Sequence, residues 1–253
     1  MRFFFLGLLL LLGGCTSLTG LFFYPQKIWV STPSDVGLEY QDVFLQAADK
    51  TELHAWWLPA QGETEKDVVV LYLHGNAENI SSHSRSMYWL AMQGVGFLAL
   101  DYRGFGASQG RAKLPEVFQD LEAAVLWLRH NQPQKKIVIV AQSIGTALAV
   151  PFVAKAQNTY HFSALYLDAP VASYGTVARS ALSKSVVGWL VWPWTVLIPS
   201  RWDALNYADQ LELPVMVMHS PEDKVVPYQQ GQKLFNRLPK TNQQRCWVQS
   251  QGA

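Results

Sequence analysis

The chemistry this chain could do is concentrated in the run Ile137-Val138-Ile139-Val140-Ala141-Gln142-Ser143-Ile144-Gly145-Thr146. Four apolar residues lead into small-x-Ser-x-Gly, and Ala-rich helical sequence follows. A serine on a tight turn between a strand and a helix needs small neighbours two positions away, because the turn is strained. Such a turn exposes the Ser143 hydroxyl at the carboxyl end of the strand. It also aims the Ile144 N–H, at the head of the helix, at negative charge developing on a carbonyl oxygen. Together these are the parts of nucleophilic acyl chemistry. The plainer reading is an ordinary serine at a strand-helix junction, and the matching strand before and helix after argue against it.

The elements that would hold this turn can be read from hydrophobic pattern. Asp42 to Ala47 and Thr51 to Leu58 flank Asp49-Lys50 as an antiparallel hairpin. Val68 to Leu73, Gly96 to Leu100, Ile137 to Val140, Ala164 to Leu167 and Val215 to Met218 are short apolar runs of the kind buried on both faces of a sheet, and Arg245 to Val248 is a last strand. Helices are expected at Ser82 to Gln93, closed by Gly94, at Gly145 to Ala156 and at Gln229 to Leu238. A further one is marked by Leu114, Val117, Phe118, Leu121, Val125 and Leu128 at helical spacing. Strands alternating with helices predict an α/β fold, a mostly parallel sheet covered on both faces with the antiparallel hairpin at its start.

With the serine turn in this setting, the chain resembles the α/β-hydrolase superfamily, in particular its esterase, lysophospholipase and serine-aminopeptidase-like branch. Three further segments carry the resemblance: His74-Gly75-Asn76-Ala77, Asp101-Tyr102-Arg103-Gly104-Phe105-Gly106-Ala107-Ser108, and His219-Ser220-Pro221-Glu222-Asp223. The resemblance implies Ser143 as nucleophile, backbone N–H groups of Asn76 and Ile144 as oxyanion hole, and Asp223 as the acid that orients a histidine. Glu222 is the local fallback for that acid, and the glycine-rich turn after Asp101 is scaffold. The same pattern places the histidine on a loop after the last strand, yet no histidine follows His219. His219 itself precedes the acid loop and is expected to pack locally. His54, His74, His83, His130 and His161 are likewise expected to be structural or exposed. The expectation is a truncated product whose longer form supplies the base. The alternative is a catalytically impaired binding or scaffold protein.

Composition narrows the setting. About 49% of the 253 residues are apolar, 15% are charged and the formal net charge is +1. There is no basic run, so nucleic acid is not an expected partner. Two cysteines, Cys15 and Cys246, make neither a disulfide framework nor a metal spacing, and no cofactor or metal is expected. Cys246 reads as a small buried hydrophobe. Arg2, the apolar Phe3 to Leu12 and Leu12-Gly13-Gly14-Cys15 read as a signal peptide (1–14) ending in a bacterial lipobox, with Cys15 lipidated. Residues 15–40 would then be the attachment point and tether, and 41–253 the hydrolase domain, exported and anchored on the cell-envelope side. Arg2 is the single charged residue of 1–14, so 19 of the 20 basic residues remain against 19 acidic ones, and attachment would rest on acyl chains. The Trp-rich run Ser183 to Pro199, within a cap insert at about 171–208, reads first as a buried cap helix broken by Pro193. Its other reading is an acyl-binding lid or a surface resting on a membrane.

Overall fold

The computed structural model describes residues 18–183, 186–240 and 245–250. Cys15 and the leader lie outside these. Among the described residues eight strands form one sheet: β1 (Gln41–Gln46), β2 (Glu52–Leu58), β3 (Val68–Leu73), β4 (Gly96–Asp101), β5 (Lys136–Gln142), β6 (Ala164–Asp168), β7 (Val215–His219) and β8 (Arg245–Gln249). Their order is β1-β2-β4-β3-β5-β6-β7-β8, antiparallel through β4 and parallel from there on. The hairpin and all the buried strands stand where the apolar runs place them.

One face of the sheet carries α3 (Val117–Asn131), α4 (Ile144–Tyr160) and α7 (Tyr228–Arg237). Alternate residues point into it, among them Leu71, Leu73, Ile139, Ala141, Leu167 and Val217, all buried. The opposite face packs Tyr72, Phe97 and Ala99 against Ile80, Tyr88 and Ala91. The helix expected over Ser82 to Gln93 is broken there into α1 (Ile80–His83), a 3₁₀ turn (Ser84–Met87) and α2 (Tyr88–Met92). Its break has a visible cause: Ser84 Oγ folds back on Ile80 O and Ser86 Oγ on His83 O, local bonds that compete with the α ladder.

Two elements differ from expectation. Cys246 is exposed, because β8 is an edge strand whose Trp247 turns toward Phe235 and Tyr228 of α7, leaving Cys246 on the other side. Neighbouring Met216 on that side is exposed too. The cap, α5 (Tyr174–Leu182), α6 (Val186–Val191) and the 3₁₀ turn Trp192–Leu197, buries Tyr174, Gly188 and Thr195, whereas Val186, Trp189, Leu190, Trp192, Trp194 and Val196 are exposed. The run expected to be buried thus turns Trp189, Leu190 and Trp194 outward.

The stretch read as a tether is held to the body from Thr19 on. Leu114 N donates to Thr19 Oγ1 (3.0 Å), Tyr24 N to Asn76 Oδ1 (3.0 Å), Gln26 N to Glu78 O (3.1 Å) and Gly106 N to Gln26 O (2.9 Å).

Candidate active site

The carboxyl ends of β3, β5, β6 and β7 lie side by side, with Leu73 level with Ala141, Gln142 with Asp168, and Asp168 with Met218. In an open parallel sheet this edge is where ligands gather. Ser143 sits there with φ 50° and ψ −118°, a backbone conformation that costs an L-residue about 1–3 kcal/mol. Its neighbours hold it in place. Ser143 N donates to Asp168 O (2.9 Å), and both Thr146 N (2.9 Å) and Thr146 Oγ1 (2.6 Å) donate to Ser143 O. A Cβ on Gly145 would stand 2.4 Å from Leu73 O and 2.8 Å from His74 O, so only glycine lets the helix start this close to β3. Ala141, on the other side of the turn, is fully buried and its methyl fits.

Ser143 is partly exposed, and among the described residues its hydroxyl has no hydrogen-bond partner. Ile144 opens α4. Asn76 lies in the loop after β3, where Ala77 and Glu78 both take positive φ. No acceptor among the described residues takes the Asn76 or Ile144 N–H. The two loops touch through Gln142, whose Oε1 accepts from Tyr72 OH (3.1 Å) and lies 3.2 Å from His83 Nδ1, while His83 Nε2 is 3.3 Å from Ala77 O. His83 thus stands beside the site as a spacer, nearer than its sequence position suggested. His74 is wholly buried, its Nδ1 on Gly75 O, and burial lowers its pKa to about 3, so it remains neutral.

Asp223 follows β7, as expected, but is engaged with its own turn. Its Oδ1 accepts from Val225 N (2.7 Å) and Val226 N (2.9 Å), and its Oδ2 is 3.4 Å from His219 Nε2. His219 is buried against α7, where a Cβ on Gly231 would fall 2.4 Å from its Nδ1. Its Nε2 lies 3.1 Å from Val226 O, a local partner in the same loop. Glu222 N donates to Ser220 Oγ within the same loop.

Sequence reasoning missed Asp168. This carboxyl accepts from Gln142 Nε2 (3.4 Å), the residue before the serine. Burial raises its pKa, and the Asp223 charge adds to the rise. The available signal was an acid closing a buried strand next to the serine's own strand. Arg103, read as scaffold, is buried with its guanidinium on Asp120 (2.6 and 2.8 Å) and Asp49 (2.7 Å). Among the described residues no group of three or more His, Cys, Asp or Glu side chains could hold a metal ion.

The family model described as serine aminopeptidase, S33, matches residues 64–202, from the approach to β3 through the serine turn and the cap. The chain belongs to this family. This S33-family chain is an α/β-hydrolase of the serine-hydrolase type, and its family and its esterase and lipase relatives support hydrolase activity in general. It is similar to the uncharacterized protein YfhR of Salmonella typhi, 31% identical over 228 residues, which cover 85% of this chain and 74% of that protein. It is also similar to the lysophosphatidylserine lipase ABHD12 of Mus musculus, 24% identical over 238 residues, 84% of this chain and 60% of that one. Among solved structures the fold matches the Pyrococcus furiosus esterase Pf2001 with a TM-score of 0.75 at 23% identity, covering 91% of this chain and 89% of the esterase. A Coxiella burnetii α/β serine hydrolase homologue matches with a TM-score of 0.59 at 19% identity, over 84% and 88%.

Proposed function

We propose that the protein hydrolyses a carboxylic ester, thioester or amide through an acyl-enzyme on Ser143. The observation that carries this reading is the strained Ser143 turn, its hydroxyl unpartnered and its neighbouring N–H at the head of α4 unclaimed. Ser143 Oγ attacks the carbonyl carbon and its proton passes to an imidazole. The Asn76 and Ile144 N–H groups hold the oxyanion, and the leaving group departs with that proton. Water then adds to the acyl-enzyme, the imidazole taking its proton, and Ser143 leaves protonated with release of the acid. Asp223 orients the imidazole and balances its charge; among the described residues its Oδ2 has the long contact to His219 (3.4 Å).

The six histidines of this sequence do not reach the serine among the described residues. The acyl route needs an imidazole at the serine, and the described structure shows none hydrogen-bonded to it. Small-molecule or lipid acyl compounds are the substrate class, in keeping with the lipase and esterase relatives. The setting is a lipoprotein anchored through Cys15 on the envelope side.

The lack of an imidazole on the serine among the described residues favours a second reading, a hydrolase fold retained as a tethered binding protein. A fluorophosphonate probe on the native protein separates the two. Labelling mapped to Ser143 and lost in Ser143→Ala, together with turnover of p-nitrophenyl acyl esters, supports the enzyme. An unlabelled, folded native protein leaves the binding role.

A further inference from the structure

The cap shows a face that the hydrolytic site does not use. Val186, Trp189, Leu190, Trp192, Trp194 and Val196 all turn to solvent, Leu190 with 76% and Trp189 with 69% of its surface exposed. The face is held from behind: Gly188 packs on Leu182, where a Cβ would stand 1.9 Å from the carbonyl oxygen, and Thr195 Oγ1 donates to Trp192 O (2.8 Å). An outward cluster of this kind marks an interaction surface.

We propose that this face docks on an anionic phospholipid bilayer. Three observations select that occupant. The first is residue type: three indoles with aliphatic neighbours suit the boundary between headgroups and acyl chains. The second is charge. From Ser173 to Trp202 the sequence has Arg179, Lys184 and Arg201 and no acidic residue, whereas the whole chain is nearly balanced at +1. This basic excess in the sequence complements an anionic leaflet. The third is the route of the chain. Phe22 packs on Tyr174, the first residue of α5, with ring centroids 5.0 Å apart. The described chain starts at Leu18, six positions after the apolar Phe3 to Leu12. Six residues span at most about 20 Å, so that apolar segment, or an acylated Cys15, would meet the bilayer within this reach of Leu18. The cap is also hooked to the serine's helix, Val171 N donating to Thr146 Oγ1 (2.9 Å). Docking therefore brings the membrane boundary next to the site, and the inference does not depend on turnover at Ser143.

Tryptophan quenching by vesicles of brominated phosphatidylglycerol and phosphatidylcholine in equal parts tests this on the full chain. Residues 1–17 contain no Trp, so the leader is silent in the assay. The expected result is strong quenching that is mostly lost in the Trp189→Phe/Trp192→Phe/Trp194→Phe variant, which still binds. Val186→Glu with Leu190→Glu weakens vesicle binding roughly tenfold or more. Pure phosphatidylcholine weakens it about fivefold for each basic residue engaged. Quenching that survives the triple Phe variant overturns the proposal, as does its absence from the wild type. So does vesicle-free self-association that the two Glu substitutions abolish, which would make a second copy the occupant.

Discussion

At the scale of single residues the site is built by exclusion of side chains as much as by their presence. Gly145 has its α-carbon against the carbonyls of Leu73 and His74, and Leu73 belongs to paired strand backbone that has little room to retreat. Gly145→Ala should therefore cost about 1–3 kcal/mol in urea unfolding and remove probe labelling at Ser143. Ala141→Gly should leave labelling intact. The carboxylates divide by a similar argument. Asp223 has an oxygen left for an imidazole, whereas Asp168 is tied to Gln142 and kept toward its neutral form by burial. In the native enzyme Asp223→Asn should lower kcat about 10⁴-fold. Asp168→Asn should cost no more than roughly tenfold. The reverse order of the two losses would transfer the orienting role to Asp168.

At the scale of elements, polar ties decide how the loops are held. Arg103 connects the turn after β4 to α3 through Asp120 and to the β1–β2 turn through Asp49. Its removal in Arg103→Met leaves Asp120 buried without its cation, and a loss of about 3–5 kcal/mol in unfolding free energy is expected. His74 sets a pH dependence. Its folded pKa of about 3 lies below the ordinary histidine value. Its contribution is therefore complete above about pH 6.5 and is lost as pH falls toward 3, by about 1.4 kcal/mol per unit. His74→Asn should flatten the fall in stability between pH 6 and pH 4 by that slope, read from urea midpoints. The strands, the hairpin and the Ser143 turn were legible because each is coded locally, by apolar runs, by Asp49-Lys50 and by small residues around a serine. The break after His83, the exposure of Cys246 and the part played by Asp168 were not. Each depends on which strand or helix lies alongside, and hydrophobic period carries no information about neighbours.

At the scale of the whole molecule, the N-terminal strap and the oxyanion loop form one unit. Asn79, fully buried, donates through Nδ2 to Gln26 O (3.0 Å) and Ile28 O (2.8 Å), while its Oδ1 caps α1 at Ser81 N. Val30 N on Ser81 Oγ and Lys27 Nζ on Ser108 O complete the seam. Composition made residues 15–40 read as a tether, since backbone bonds to a distant loop leave no apolar pattern to detect. The seam means that a pull on the strap acts on the loop carrying Asn76. Asn79→Asp keeps the cap on α1 but removes both donors and sets a carboxylate against two carbonyl oxygens, at a cost of about 2–4 kcal/mol to the seam. Amide hydrogen exchange should then accelerate at least tenfold over residues 24–30 and at Gly106, with β5 and α4 unchanged. Probe labelling of Ser143 should slow with it, because a loosened loop no longer holds the Asn76 N–H in line. If exchange accelerates and labelling does not, the strap is a structural belt with no hold on the site.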